Sequence, residues 1–258
     1  MIIKEDASIN TLFVGQNFEE YEMLASTNAH AQQLVSKSKP SEGTVISAQK
    51  QTAGRGQIGS QWESEPDKNI NLSILLYPTF LPVQQQFQLN QAVSLGLRDF
   101  VAKYVQKSVK IKWSNDIYVN DNKICGILIQ NALKGVQIQS SIIGIGINVN
   151  QTEFLSNPPN PTSFKLEMQR DFDLSEMKKT LCECIEPRYF QLKNGRHDEL
   201  YLEYLSHLYR YQENVLFQRP NGEAFMGMIT GISDIGKLQI QIGRRMEEFG
   251  IKEVKFVQ

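Results

Sequence analysis

Four short segments of the chain carry residue types suited to holding an acid and a phosphate. In QTAGRGQIGSQW (51–62), Gly54, Gly56 and Gly59 leave backbone N–H groups unshielded, and Arg55 adds a fork of donors that matches carboxylate or phosphate. No Gly-Lys-Ser/Thr closes the segment, so it is not a P-loop, and a mobile glycine-rich loop is the competing reading. In KWSND (112–116), Lys112 follows a strand directly and could place a point charge on a carboxylate and on a transferring phosphate. An exposed strand-end lysine beside a polar turn is the alternative there. GIGIN (144–148) ends a strand with glycines that admit a flat ligand, and Asn148 could read an adenine edge. The third glycine of the dinucleotide fingerprint is missing, which weakens a Rossmann reading and leaves an ordinary packed strand end as the rival. The fourth segment, Ser26-Thr27-Asn28, is also explained by helix capping alone. Cys125 sits in an apolar strand and reads as core rather than as a nucleophile.

These segments need elements to hold them. Residues 28–36 place Ala31, Leu34 and Val35 at helical spacing behind Ser26-Thr27-Asn28, which predicts a helix start there. GTVISA (43–48) reads as a short buried strand, 51–69 as a long surface loop, and the alternating NINLSILLY (69–77) as a strand. Loops of that length are seldom idle in compact domains. Residues 87–104 form an amphipathic helix through Leu89, Ala92, Val93, Gly96, Leu97, Phe100, Val101 and Tyr104. Strands follow at 109–113, 123–130 and 136–149, the last two joined by a Lys134-Gly135 hairpin turn. Pro158, Pro159 and Pro161 mark an irregular crossing. A helix over 174–193 runs through Leu174, Met177, Leu181, Ile185 and Tyr189, with Pro187 expected to bend or break it. Another helix covers 197–209; beyond 213 come short strands with turns at Asn221-Gly222 and Ile235-Gly236, which suit a small β-barrel.

The bulk numbers narrow the classes. With 258 residues, 41% hydrophobic and 21% charged, the chain suits one large domain plus a small appendage. A net charge of −1 gives no reason to expect non-specific attraction to nucleic acid. Three cysteines without a CxxC pair and three isolated histidines (His30, His197, His207) argue against a disulfide framework and a metal site. Cys182 and Cys184, two apart, fall on different faces of a helix. The N-terminus lacks a secretory pattern and no apolar run reaches spanning length, so a cytoplasmic protein is expected.

Taken in order, STN, QTAGRG with Trp62 after it, KWSND, K-x-x-G-I-L and G-x-G-I-N resemble the biotin–protein ligase (biotin–[acetyl-CoA-carboxylase] ligase) family over about residues 22–150. The β-rich tail resembles that family's small C-terminal domain. The resemblance implies ATP-dependent adenylation of biotin, with Mg²⁺, and transfer of the biotinyl group to a lysine on the biotin carrier domain of a carboxylase. It is thus a ligase that forms C–N bonds. Biotin is then expected at Ser26, Thr27, Asn28, Gln51, Arg55, Gly56, Gln57 and Lys112, and the nucleotide at Arg55, Gln57, Trp62, Lys112, Asn115, Gly146 and Asn148. A buried urea needs a donor for its oxygen and acceptors for its N–H groups, which these types supply. Lys112 takes the main electrostatic role by the same resemblance, with Arg55 beside it as catalytic. No protein metal ligands are implied.

Two departures matter. Many relatives carry arginine where this chain has Gln57, and a neutral amide holds an acyl phosphate less firmly, so escape of free adenylate is expected. Some relatives also carry a DNA-binding helix-turn-helix domain before the catalytic core. With STN starting at residue 26, no room for one is expected, nor a DNA partner or repressor activity. The implied fold is α/β (α+β): a mixed, mostly antiparallel sheet with helices on one side, of the class II aminoacyl-tRNA synthetase-like, biotin–lipoate ligase type, over 1–211. An SH3-like β-barrel over 212–258 completes it. A lipoate ligase, an octanoyltransferase, a non-catalytic biotin-binding module and a DNA-binding regulator are the rivals. The glycine loop with KWSND favours the biotin branch, and Cys125 is no octanoyltransferase nucleophile. Lys112 and Arg55 count against a binding module. An exposed sheet strand could pair with a twin subunit or with the carrier, so a homodimer is open.

Overall fold

Asn69–Leu76 decides the layering, because its residues alternate between two environments. Ile70, Leu72, Ile74 and Leu76 pack into the main core, whereas Leu75 belongs to a second, smaller cluster on the opposite face. Asn69, Asn71 and Ser73 share that second face, and all three are buried.

The computed structural model describes residues 2–3, 9–57, 59–155 and 160–257. In chain order its first half comprises β1 (Ile2–Ile3), β2 (Phe18–Leu24), α1 (Thr27–Lys37), β3 (Val45–Gln51), β4 (Asn69–Leu76), α2 (Gln86–Tyr104), β5 (Val109–Lys112), β6 (Asp116–Val119), β7 (Asn122–Lys134) and β8 (Gln137–Asn148). The second half comprises α3 (Phe164–Met168), α4 (Leu174–Lys193), α5 (His197–Ser206), β9 (Asn214–Gln218), β10 (Ala224–Ile232), β11 (Leu238–Ile242), β12 (Arg245–Phe249) and β13 (Lys255–Phe256). Strands β1–β8 form one sheet of order β1-β2-β3-β4-β8-β7-β6-β5. Its pairs are antiparallel except β2 with β3, so the expected mixed, mostly antiparallel sheet is what forms.

Helices α2, α4 and α5 pack together over one face, burying Leu89, Val93, Phe100, Leu181, Ile185 and Tyr204. The expectation that all helices lie on one side is corrected by α1, whose Ala31 packs with Ile46, Leu75 and Ile142 on the other face. Pro187 does not break α4. The burial of Met177, Leu181, Ile185, Tyr189 and Leu192 on either side of it outweighs the roughly 3 kcal/mol that an interior proline costs. Asp173 caps that helix by accepting from the Ser175 and Glu176 backbone N–H groups. Glu186 on α4 accepts from the backbone N–H groups of Leu12, Phe13 and Val14 at 2.7, 2.8 and 2.9 Å. Lys178, one side of the same helix, pairs with Glu20 at 2.5 Å. These charge-assisted contacts seat β2, and β2 delivers the turn that starts α1.

Strands β9–β13 form a second antiparallel sheet of order β12-β11-β10-β9-β13. Among the described residues no pairing of β12 with β13 closes it. Gly222 (φ +91°) and Gly236 (φ +86°) make its first two turns, as the sequence suggests. Strands β2 and β6 were not anticipated. Pro158 and Pro159 lie outside the described residues, and among the latter no helix is long and apolar enough to cross a membrane.

Candidate active site

On the α1 face of the first sheet is a cleft of about 330 Å³, at the lower end of the size range of small-molecule sites. Its floor is the antiparallel pair β7 and β8, where Gly126, Gly144 and Gly146 carry no side chain. The vacated space is used at once: a β-carbon on Gly144 would collide with the Asn28 amide, and one on Gly146 with the Trp62 indole. Both side chains therefore sit close against the backbone of the sheet.

The polar row of β4 anchors the surrounding walls. Ser73 Oγ lies 2.8 Å from Thr27 Oγ1 and 2.7 Å from Asn28 Oδ1, fixing the start of α1. Asn71 Oδ1 accepts from Trp62 Nε1 at 3.0 Å and from Gln51 Nε2 at 3.3 Å. Asn69 Oδ1 accepts from the Val149 backbone N–H at 2.9 Å, holding the chain where it leaves the floor. Ser26, the N-cap of α1, makes no side-chain cap bond, so capping does not consume its hydroxyl. Asn28 is committed: its amide donates to Gln130 Oε1 at 2.9 Å and to the Leu128 carbonyl at 3.3 Å.

The glycine segment closes over this floor as a small internally bonded loop. Gly56 N–H donates to Ser60 O at 3.0 Å, Ser60 N–H to Gln57 O at 2.8 Å and Trp62 N–H to Gly54 O at 3.1 Å. Gln57 Nε2 then donates to Ser114 Oγ at 2.8 Å, tying the loop to the β5–β6 turn. Arg55 remains exposed on the cleft wall.

Within KWSND each residue does something different. Lys112 Nζ donates to the Tyr118 hydroxyl at 3.0 Å and lies 4.6, 5.1 and 5.7 Å from the ring centroids of Tyr118, Phe256 and Tyr209. Burial there pulls its pKa below the usual lysine value, against a smaller opposing pull from Asp116. Trp113 Nε1 donates to the Gly236 carbonyl of the second sheet at 3.0 Å. Ser114 receives Gln57, Asn115 donates to the Ile127 carbonyl, and Asp116 Oδ1 pairs with Lys123 Nζ at 2.7 Å. Lys123 also lies 5.7 Å from the Trp62 ring centroid. Burial, followed by the Asp116 and Tyr209 charges, raises the Tyr118 pKa, so the phenol stays protonated at neutral pH.

The description "Biotin/lipoate A/B protein ligase family" matches residues 21–148, the stretch that builds the whole cleft floor. The bifunctional ligase/repressor BirA of Bacillus subtilis is 30% identical over 249 residues, which are 95% of this chain and 74% of that protein. The chain belongs to the biotin/lipoate A/B protein ligase family. The biotin–[acetyl-CoA-carboxylase] ligase of Mycobacterium tuberculosis is 27% identical over 90% of this chain and 86% of its own length. In fold, the chain is similar to the biotin protein ligase of Aquifex aeolicus in complex with biotin and ATP, with TM-score 0.78 and 24% identity over 94% of this chain and 100% of that one.

In this family member, Ser26, Thr27, Asn28, Gln51, Arg55, Gly56, Gln57, Trp62, Asn115, Gly146 and Asn148 all line the cleft. Lys112 is not among the lining residues; its ammonium donates to the hydroxyl of Tyr118, itself a cleft residue, and lies near the rings of Phe256 and Tyr209. Asn148 lines the wall but spends its amide N–H on the Thr162 carbonyl at 3.0 Å. The sequence reading missed Lys123, Asp116 and Tyr118, which do line the cleft, and the anchors Asn71 and Ser73 behind it. A signal for the anchors was present, since the alternation of NINLSILL puts three polar residues on one strand face. Lys123 reaches the cleft through a β-bulge: Ile117 pairs with Cys125 but Tyr118 with Lys123, so Ile124 is the extra residue. Cys125 is fully buried in the core, and burial raises its thiol pKa.

Proposed function

We propose that the chain is a biotin–protein ligase that adenylates biotin with ATP and passes the biotinyl group to a lysine of a biotin carrier domain. The carrying observation is that one cleft is lined both by polar groups (Ser26, Thr27, Gln51) and by two cations, Arg55 and Lys123, with the Lys123 ammonium 5.7 Å from the Trp62 ring centroid. The wall suits a urea; the cations suit a carboxylate and an α-phosphate. The names of the relatives similar over most of the chain favour biotin over lipoate.

In the first step a carboxylate oxygen of biotin attacks the α-phosphorus of ATP, and the bond to the bridging oxygen breaks to release pyrophosphate. Negative charge grows on the non-bridging oxygens. A fixed donor there is worth on the order of 3 kcal/mol, and we assign that role to Lys123, held by Asp116 on the cleft wall, ahead of Lys112. Mg²⁺ is expected to arrive with the triphosphate and share the neutralisation. Among the described residues no cluster of three metal-ligating side chains forms, and no residue is assigned to it. In the second step a neutral carrier lysine attacks the acyl carbon, the acyl–oxygen bond breaks, AMP leaves, and the amine gives up a proton. The loop bearing Arg55 and Trp62 keeps water from the mixed anhydride until then.

The test is the intact mass of an apo biotin-carrier domain after incubation with the protein, biotin and Mg-ATP, with lipoate and a lipoyl domain in parallel. An ATP-dependent gain of one biotinyl group, lost in Lys123→Ala, is expected. A gain only with lipoate would overturn the substrate, and no gain with either would overturn the ligase.

A further inference from the structure

The alternation of β6 puts Ile117 and Val119 in the core and leaves Asp116 and Tyr118 among the residues that line the cleft. Tyr118 is 3% exposed, with the Tyr209 ring centroid 5.4 Å from its own and the Lys112 ammonium 4.6 Å away. Its hydroxyl oxygen accepts from Lys112 Nζ at 3.0 Å, the only hydrogen bond this ammonium makes among the described residues. A phenol whose oxygen accepts still has its own proton to give. Among the described residues no acceptor takes that proton. A buried donor left without an acceptor is destabilising, and a cleft wall is where a ligand can supply one. Lys112 strengthens the donor, because an ammonium bonded to the oxygen polarises the O–H bond. Burial, which raises the Tyr118 pKa, keeps the proton on the oxygen at neutral pH.

We propose that Tyr118 is a further catalytic residue: its hydroxyl donates to a non-bridging oxygen of the nucleotide α-phosphate, and the charge of Lys112 reaches the reaction through that hydroxyl. The identity of the reacting groups rests on the ligase reading above. No proton is transferred in this contact. As the biotin carboxylate oxygen bonds to phosphorus and the bridging oxygen leaves with pyrophosphate, the phenol keeps its proton and its hydrogen bond strengthens with the growing charge. Lys123 stands opposite Tyr118 in the β6–β7 ladder, so adjacent strands offer a cation and a neutral donor to the same phosphate. Lys112 thereby takes part in the chemistry without a place on the cleft wall.

The experiment has two arms. The first measures the affinities of AMP and of adenosine, each alone, by equilibrium dialysis in wild type and in Tyr118→Phe, which removes the hydroxyl and keeps the ring. AMP should bind the variant about tenfold more weakly, and adenosine within about twofold of wild type. The comparison isolates the phosphate, since a general loosening of the cleft would weaken both ligands alike. Equal losses, or none, would overturn the proposal. The second arm follows biotin-dependent ATP–pyrophosphate exchange at saturating substrates. Tyr118→Phe should slow it about 10- to 100-fold, and Lys112→Met should slow the wild type but add nothing in the Tyr118→Phe background. The same loss from Lys112→Met in both backgrounds would show that Lys112 acts directly and would overturn the proposal. Wild type that binds AMP in the Tyr118-dependent way but exchanges no pyrophosphate would overturn the ligase reading and leave the phosphate contact standing. Wild type that binds neither AMP nor adenosine would overturn both. Should Tyr118→Phe lose its cooperative thermal transition, Lys112→Met carries the first arm. It leaves the hydroxyl unpolarised, so AMP should weaken about threefold against adenosine, and an unchanged ratio would overturn the proposal.

Discussion

Lys123 Nζ stands 2.7 Å from Asp116 Oδ1 on the cleft wall, whereas Lys112, paired across from the same Asp116 in the sheet, donates its ammonium to the Tyr118 hydroxyl. The two lysines therefore separate in their consequences. Lys123→Met is expected to slow biotin-dependent ATP–pyrophosphate exchange by about 10²- to 10³-fold, and Lys112→Met by less than about tenfold. Exchange rates at saturating substrates check this, and an equal loss in both variants would return the electrostatic role to Lys112.

Gln57 gives the loop its tie to Ser114 but brings no charge. Gln57→Arg is expected to reduce the biotinyl-AMP released to solvent per turnover, on the order of several-fold, because a guanidinium holds an acyl phosphate by charge-assisted bonds. Quenched-turnover analysis of free adenylate decides it; unchanged release would show that the loop, not residue 57, retains the intermediate.

A methyl group at Gly146 would occupy the space of the Trp62 indole. Gly146→Ala is thus expected to lift Trp62 off the sheet and weaken biotin binding by at least about tenfold, with little loss of global stability, since the displaced ring lies at a cleft and not in the core. Calorimetric titration and thermal unfolding on one sample measure both quantities.

The three thiols set the alkaline limit. Burial, with smaller help from Glu183 and Glu186, pushes Cys182 up to about 12 from an ordinary 9.0, and burial pushes Cys184 up to about 11. A folded pKa above the unfolded value means that this stabilisation is complete below pH 9 and fades as pH climbs toward the folded value. Each thiol adds at most about 1.4 kcal/mol per pH unit to that decline. Urea midpoints should hold steady between pH 7 and 8.5 and fall above 9, and Cys182→Ala should flatten the fall.

Much of this was legible in the sequence because it is local. The helix at 87–104, the glycine turns at 222 and 236, and the loop at 51–69 each announce themselves through spacing or turn chemistry. Strand β2 did not, because FEEYEML carries acidic residues whose burial depends on a distant partner, as with Glu20 and Lys178. Nor did the surroundings of Lys112 and Lys123, which depend on Phe256 arriving from the far end of the chain and on a bulge at Ile124 that no glycine marks. Pro187 misled in the other direction, since local propensity yields to a helix buried along its length.

The seating of Lys112 against Phe256 and of Trp113 against Gly236 means that the terminal sheet braces the β5–β6 turn from outside the cleft. A chain truncated after residue 211 would strip both partners from the two residues that precede Ser114, leaving the loop's tie point hinged on one side only. By the same token, a relative's terminal sheet grafted onto this chain would brace the turn only if it brought a carbonyl within reach of Trp113 and an aromatic ring to Lys112.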